Sequence, residues 1–220
     1  TSLPAGNYTV MAHFDVNAIA EATCSTGGEL HVVDAVIEKE SYGVQCGSDS
    51  RVLVALDMES SSGPANWRIE PYIQGGARLY STQTGGTGSE TLAYLSEVWV
   101  SAGSIPRDYT ITATHPFVAE ASDTSDFQVA SLDLDFTTWF TRAGESGSRE
   151  ASCDIANMDV SDLRWSISPE VVGGTLISGT AAGPGQTELD AMRTVHILAG
   201  GPATNYTLRA WHTDYPDICS

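Results

Sequence analysis

Hydrophobic residues recur at every second position over most of this chain. The clearest runs are Tyr8–Phe14, Glu29–Glu38, Arg51–Glu59, Trp67–Ile73, Tyr109–His115, Phe127–Phe136, Leu163–Ile167, Thr194–Leu198 and Tyr206–His212. A period of two puts alternate side chains on one face, so each run predicts a strand with one face turned to a core. Turn-forming clusters separate the runs: Ser60-Ser61-Ser62-Gly63-Pro64, Gly75-Gly76, Gly85-Gly86-Thr87-Gly88, Gly144-Glu145-Ser146-Gly147 and Gly183-Pro184-Gly185. Strand signals at this spacing predict an all-β fold, a jelly-roll or Greek-key sandwich or barrel. Two segments also fit a helical period. Ser89–Val100 spaces Leu92, Leu95, Val98 and Trp99 near 3.6 residues, although Val98-Trp99-Val100 are strand formers too. Thr187–Met192 offers Leu189 and Met192. At most two or three short helices are therefore expected.

One motif recurs. Pro4-Ala5-Gly6-Asn7-Tyr8-Thr9-Val10, Pro106-Arg107-Asp108-Tyr109-Thr110-Ile111 and Pro202-Ala203-Thr204-Asn205-Tyr206-Thr207-Leu208 each bring a proline, then a tyrosine entering a strand. In Greek-key sandwiches such a tyrosine pins a crossover by bonding back to a loop backbone. Tyr8, Tyr109 and Tyr206 are thus expected to be structural corners. The chain reads as a single compact β unit over residues 1–220. The echo adds the alternative of two stacked lobes, residues 1–120 and 121–220, divided at the polar stretch Glu120–Asp126.

Charge narrows the surroundings. Among 220 residues, 28 are acidic and 10 basic, for a net charge of −18, and Lys39 is the only lysine. A basic face for nucleic-acid phosphates is excluded as a mode of action. Self-repulsion at this charge fades in molar salt, where the Debye length is about 3 Å, so a saline setting suits the surface. No apolar run approaches the ~20 residues of a membrane helix, and no membrane span is expected. Thr1 opens the chain without a charged and apolar leader, as after removal of a signal peptide or of the initiator methionine.

Four cysteines, Cys24, Cys46, Cys153 and Cys219, lack zinc-site spacing. Their even number fits two disulfides. Cys24–Cys46 is the most local pairing; Cys153–Cys219 would tie down the C-terminus, and Cys219 would equally reach a neighbouring subunit. Disulfides would place the protein outside the cell or on a virion.

Candidate chemistry is sparse. Asp133 and Asp135 share one strand face and, with Asp123 and Asp126 in the preceding segment, are candidates for Ca²⁺; the first two would also suit a glycosidase acid and nucleophile. His13, His31, His115, His196 and His212 are candidates only if they converge. Trp67, Tyr72, Trp99, Trp139, Trp165 and Trp211 would suit a sugar platform, although large aromatics mostly anchor cores. No G-x-S-x-G elbow or phosphate-loop lysine occurs. The expectation is a non-enzymatic protein without cofactor.

The strand segments Arg51–Glu59, Phe127–Phe136 and Tyr206–His212, with the lone Lys39 and the acid excess, resemble the small jelly-roll capsid proteins of haloarchaeal icosahedral viruses with an internal membrane. That resemblance implies a virion subunit, an upright β-barrel packed into pseudo-hexameric capsomers, whose partners are copies of itself and other structural proteins of the particle. The alternative is a secreted filament or binding module with immunoglobulin-like lobes joined by strand addition, with Tyr8–Phe14 as a donor strand. A secreted glycan hydrolase using Asp133 and Asp135 is a third reading.

Overall fold

A computed structural model of the chain describes residues 6–14, 24–136 and 138–220; of the side chains in its first two strands it describes only Asn7, His31 and Val32. The fold is all-β. An antiparallel hairpin joins β1 (Gly6–Phe14) to β2 (Cys24–Val32). There follow β3 (Ser41–Gln45), β4 (Arg51–Ala55), β5 (Ala65–Glu70), β6 (Arg78–Tyr80), β7 (Thr91–Leu95), β8 (Glu97–Ser101), β9 (Arg107–His115) and a 17-residue β10 (Val118–Leu134). The chain continues through β11 (Ser148–Ala156), β12 (Leu163–Ser168), β13 (Leu176–Ser178), β14 (Glu188–Asp190), β15 (Thr194–Leu198) and β16 (Thr207–His212).

These strands make two sandwiches in series. In the first, a sheet ordered β3-β10-β9-β5-β7 faces β4-β8-β6. Alternation decides what lies between them: Trp67 and Ile69 of β5, Tyr109 and Ile111 of β9, Phe127 and Val129 of β10, and Val98 and Val100 of β8 are all buried. In the second, β14-β12-β16 faces β13-β15-β11 and the last residues of β10. Its core holds Leu132, Cys153, Leu163, Trp165, Ile177, Val195 and Ala210. β10 belongs to both lobes. Up to Val129 it fills the first core, and from Ala130 it pairs with β11 and fills the second.

The second lobe repeats the first, 97 residues on. Glu38 N–H donates to Ala55 O as Asp135 N–H does to Ser152 O. Leu56 N–H to Ser96 O recurs as Cys153 N–H to Arg193 O, and Gly47 N–H to Gly103 O as Gly144 N–H to Gly200 O. The bridge Ile37↔Leu56 recurs as the pair Leu134↔Cys153. Trp67 Nε1 donates to Leu95 O at 2.8 Å, and Trp165 Nε1 to Met192 O at 2.7 Å. A buried indole keeps its N–H satisfied, so each tryptophan sits in one orientation across its core.

Three sequence expectations change. The segment 89–100 contains strands β7 and β8, because Val98 and Val100 point inward on either side of half-buried Trp99, Glu97 before them is exposed, and Tyr94 takes a left-handed φ of 58°. Thr187–Met192 contains strand β14, with Leu189 buried between exposed Glu188 and Asp190; among the described residues the one short helical turn is Val160–Asp162. The stretch Glu120–Asp126 is not a divide. It lies inside β10, where Ala121 and Ser125 are buried, Asp123 between them is half-buried and accepts from Ile37 N–H, and Ser122 and Thr124 face out.

Candidate functional site: corners, lobe junction and an open sheet edge

The tyrosine corner forms in the first lobe. Tyr109 is buried, and its Oη donates to Ile105 O at 3.5 Å. The ring reaches that position because Gly76 lies beneath it: a Cβ there would stand 2.5 Å from Tyr109 Oη. Tyr206 lies over Gly174 in the same way, at 2.6 Å from a Cβ there, but its hydroxyl is buried without a hydrogen-bond partner. The side chain of Tyr8 lies outside the described residues.

The lobes meet at a polar junction. Asn157, with φ 56°, turns the chain after β11 and donates from Nδ2 to Asp108 Oδ1 at 2.8 Å and to Val129 O at 3.1 Å. Gln128 Nε2 donates back to Asn157 O at 2.8 Å, and Gln45 Nε2 donates to Leu132 O at 3.3 Å. Tyr215, in the turn after β16, lies on Gly43 of β3, where a Cβ would overlap its ring. Asn is among the few residues that take a left-handed φ readily, which suits it to this turn.

The two lobes end their sheets differently. In the first, β10 pairs antiparallel with β9 and parallel with β3, completing five strands. In the second, β16 pairs with β12 on one side. On the other, only its end is met, by Ala210 N–H to Ser220 O and His212 N–H to Ile218 O. Thr207–Arg209 have no strand partner on that side among the described residues. Leu208 is half-buried where its counterpart Ile111 is fully buried. Residues 138–142, the counterpart of β3, form no strand.

The expected sites are not brought together. Asp123 accepts from Ile37 N–H at 2.8 Å through one carboxylate oxygen and from Thr124 N–H through the other, so it pins the entry to the first lobe. Asp126 is exposed on β10, and Asp133 stands opposite Asp154. Asp135 accepts from Ser152 N–H at 3.1 Å. No cluster of three metal-ligating side chains occurs among the described residues.

Cys46, Cys153 and Cys219 are free thiols, so neither Cys24–Cys46 nor Cys153–Cys219 forms. Ile218 is the inward residue of the last run, which turns its neighbour Cys219 away from the core that holds Cys153. The backbone of Cys24 lies opposite Phe14, at the end of the hairpin that points away from the first lobe, whereas Cys46 N–H bonds to Ala130 O at the junction with the second; the Cys24 side chain lies outside the described residues. Burial pushes the Cys153 thiol up to about 12, with the carboxylates of Asp135, Asp154 and Asp133 adding to it. Burial, then Asp133, raises Cys46. Both are protonated and unreactive at neutral pH.

The histidines cap turns. His115 Nδ1 accepts from Phe117 N–H at 3.4 Å, and His212 Nδ1 accepts from Asp214 N–H at 3.1 Å. Exposed His31 has Nδ1 2.6 Å from Asn7 Oδ1, half-buried His196 stands 4.0 Å from Glu150, and the His13 side chain is outside the described residues. Trp67 and Trp165 are core, which dissolves the sugar platform; Trp139 stacks on Phe136, Tyr72 carries the Arg78 guanidinium, and Trp211 that of Arg209.

Sequence reasoning missed Asn157, Gln128 and the pairing of Gly43 with Tyr215. It also missed a signal lying in view: Trp67, Pro71 and Gly75-Gly76 recur as Trp165, Pro169 and Gly173-Gly174, each 98 residues on.

No family model matches the chain, and no curated protein does. Solved structures similar to it include domains 5–6 of the surface-layer protein SbsC, at 13% identity and TM-score 0.29, covering 86% of this chain and 95% of that one. The Escherichia coli adhesin FdeC matches at 12% identity and TM-score 0.37, covering 87% and 66%. The Yersinia pseudotuberculosis adhesin InvE matches at 13% and 0.25, covering 82% and 55%. The chain spans 33% of the SbsC structure of domains 4–9. Scores of this size add nothing to what the chain's own geometry shows.

Proposed function

We propose that this protein is a non-enzymatic building block of an extracellular assembly, made of immunoglobulin-like β-sandwich repeats set in line and joined to further units by strand addition. One observation carries the reading: the hydrogen-bond scaffold of the first lobe recurs 97 residues on, and a single strand, β10, runs unbroken from one core into the next. A shared strand leaves no linker to flex, so the unit suits a stalk or filament more than a hinged pair that closes on a ligand. The side of β16 beside half-buried Leu208 takes a strand as β9 takes β10, from the same chain or from another unit. Such a strand would run antiparallel to β16 with apolar residues at every second position, as Phe127 and Val129 do in β10. β1 is an unsuitable lone donor, because β2 occupies it over nine paired residues.

The extracellular location and the saline setting rest on the acidity and Ser/Thr/Gly character of the chain, not on its thiols. The capsid reading keeps that same support and gains none from the geometry, which favours the immunoglobulin-like alternative.

Light scattering and negative-stain microscopy at low and molar salt test the proposal. Elongated assemblies that strengthen as salt screens the charge, and that Leu208→Asp disperses, are expected. A monomer under all conditions, or assembly indifferent to Leu208→Asp, would overturn it.

A further inference from the structure

The cleft between the β1–β2 hairpin and the first lobe encloses about 690 Å³ and is lined by Asn7, His31, Ser60, His115, Phe117 and Val118 among others. Its position in the repeat is informative. The pairs Tyr8↔Leu30 and Tyr109↔Phe127 put the echoed tyrosines at matching places in two hairpins, and β2 leads through Ile37 into the first lobe as β10 leads through Leu134 into the second. Asn7, His31, Ser60 and Val118 therefore occupy the places that Asp108, Gln128, Asn157 and Tyr215 hold at the lobe junction. That junction is closed: Asn157 bonds to Asp108 and Val129, and Tyr215 lies on Gly43 of β3. At the cleft the matching turn ends in Phe117, 82% exposed, with no strand in the place of β3 among the described residues.

We infer that this face is a docking surface for one more sandwich of the same repeat, of which β1–β2 is the closing hairpin, and that the turn carrying Phe117 and Val118 packs on its β3-like strand as the turn carrying Tyr215 packs on Gly43. The occupant is specified by register. It lies parallel to β2 on the edge that β1 leaves free, as β3 lies against β10, and it must present a small residue beneath the Phe117 turn. The inference deepens the repeat reading and makes no use of the open edge of β16, so the two can fail separately.

The test inserts a copy of residues 33–106 directly ahead of Gly6 in the full chain, so that the new segment runs into β1 as Pro106 runs into β9. Hydrogen exchange is read by mass spectrometry in the natural and extended chains, each with and without Phe117→Asp. Backbone amides of β1 and β2 are expected to slow by about 100-fold in the extended chain, and Phe117→Asp to reverse part of that gain while leaving the natural chain unchanged. A folded third sandwich without protection of β1–β2, or protection insensitive to Phe117→Asp, would overturn the inference. So would equal protection in the natural chain on concentration alone, which would make a second molecule the occupant. Should the inserted segment fail to fold, a second variant replaces residues 1–32 by a copy of 33–129, whose core is that of the first lobe. There, 4-fluorophenylalanine at the Phe117 next to the junction reports by ¹⁹F NMR: a solvent-shielded signal supports docking, and an exposed one overturns it.

Discussion

Tyr109 and Tyr206 hold the same place in two copies of one scaffold, yet their surroundings differ. Tyr109 is buried under β10 and its hydroxyl reaches Ile105 O; the hydroxyl of Tyr206 is shut away from water with no acceptor. Likewise Ile111 is fully buried and Leu208 only half. The corners, tryptophans and glycine contacts are common to both lobes, so they do not account for the difference. What differs is the strand beside β9 and β16. Phe127 and Val129 complete the first core, and among the described residues no strand stands beside Thr207–Arg209 on that side. The covering strand, and not the scaffold, thus sets the surroundings of the corner tyrosine.

The largest effects should come from what the lobes share. Trp67→Ala and Trp165→Ala each remove a fully buried indole and its hydrogen bond, and each should cost about 3–5 kcal/mol in urea denaturation. Equal losses support equivalence of the lobes; a loss under about 1 kcal/mol for either would break it. Next are the glycines beneath the corners. Gly76→Ala and Gly174→Ala force a Cβ against Tyr109 Oη and Tyr206 Oη and should cost about 1–3 kcal/mol by the same assay.

The tyrosine hydroxyls sharpen the contrast. Tyr109→Phe should lose about 0.5–1.5 kcal/mol. Tyr206→Phe removes a buried hydroxyl that has no partner and should be neutral or stabilising; a matching loss at both sites would contradict the asymmetry. The smallest effect appears only in alkali. The folded-state pKa of Cys153, about 12, lies above the ordinary thiol value of 9.0, so its contribution to stability is complete below pH 9 and is lost as pH rises toward 12. Leu56 holds the matching place in the first lobe and does not titrate. Tyr42, raised to about 12 by burial and then Glu38, adds its own loss above pH 10. Cys153→Ala should flatten the part of an alkaline melting series that begins near pH 9.

Period-two runs made the strands legible, and three Pro–Tyr echoes hinted at repetition. The lobe boundary was not legible. Glu120–Asp126 looks like a linker because Glu120 and Asp126 face solvent, Asp123 is polar although half-buried, and the inward Ala121 and Ser125 are too small to read as core. Ser89–Val100 misled for a related reason: two short strands joined at a left-handed Tyr94 happen to space their apolar residues like a helix. Asn157, Gln128 and Gly43 carry no local pattern, since their roles exist only once β10 has set one lobe on the other.

Site-resolved hydrogen exchange along β16 and β9 tests the central claim most directly. The amide of Leu208, which turns away from β12, should exchange about 100-fold faster than that of its counterpart Ile111, and a peptide with the β10 sequence Ser122–Ala130 should slow it. Equal protection of the two strands, with no response to the peptide, would contradict an open edge in the second lobe.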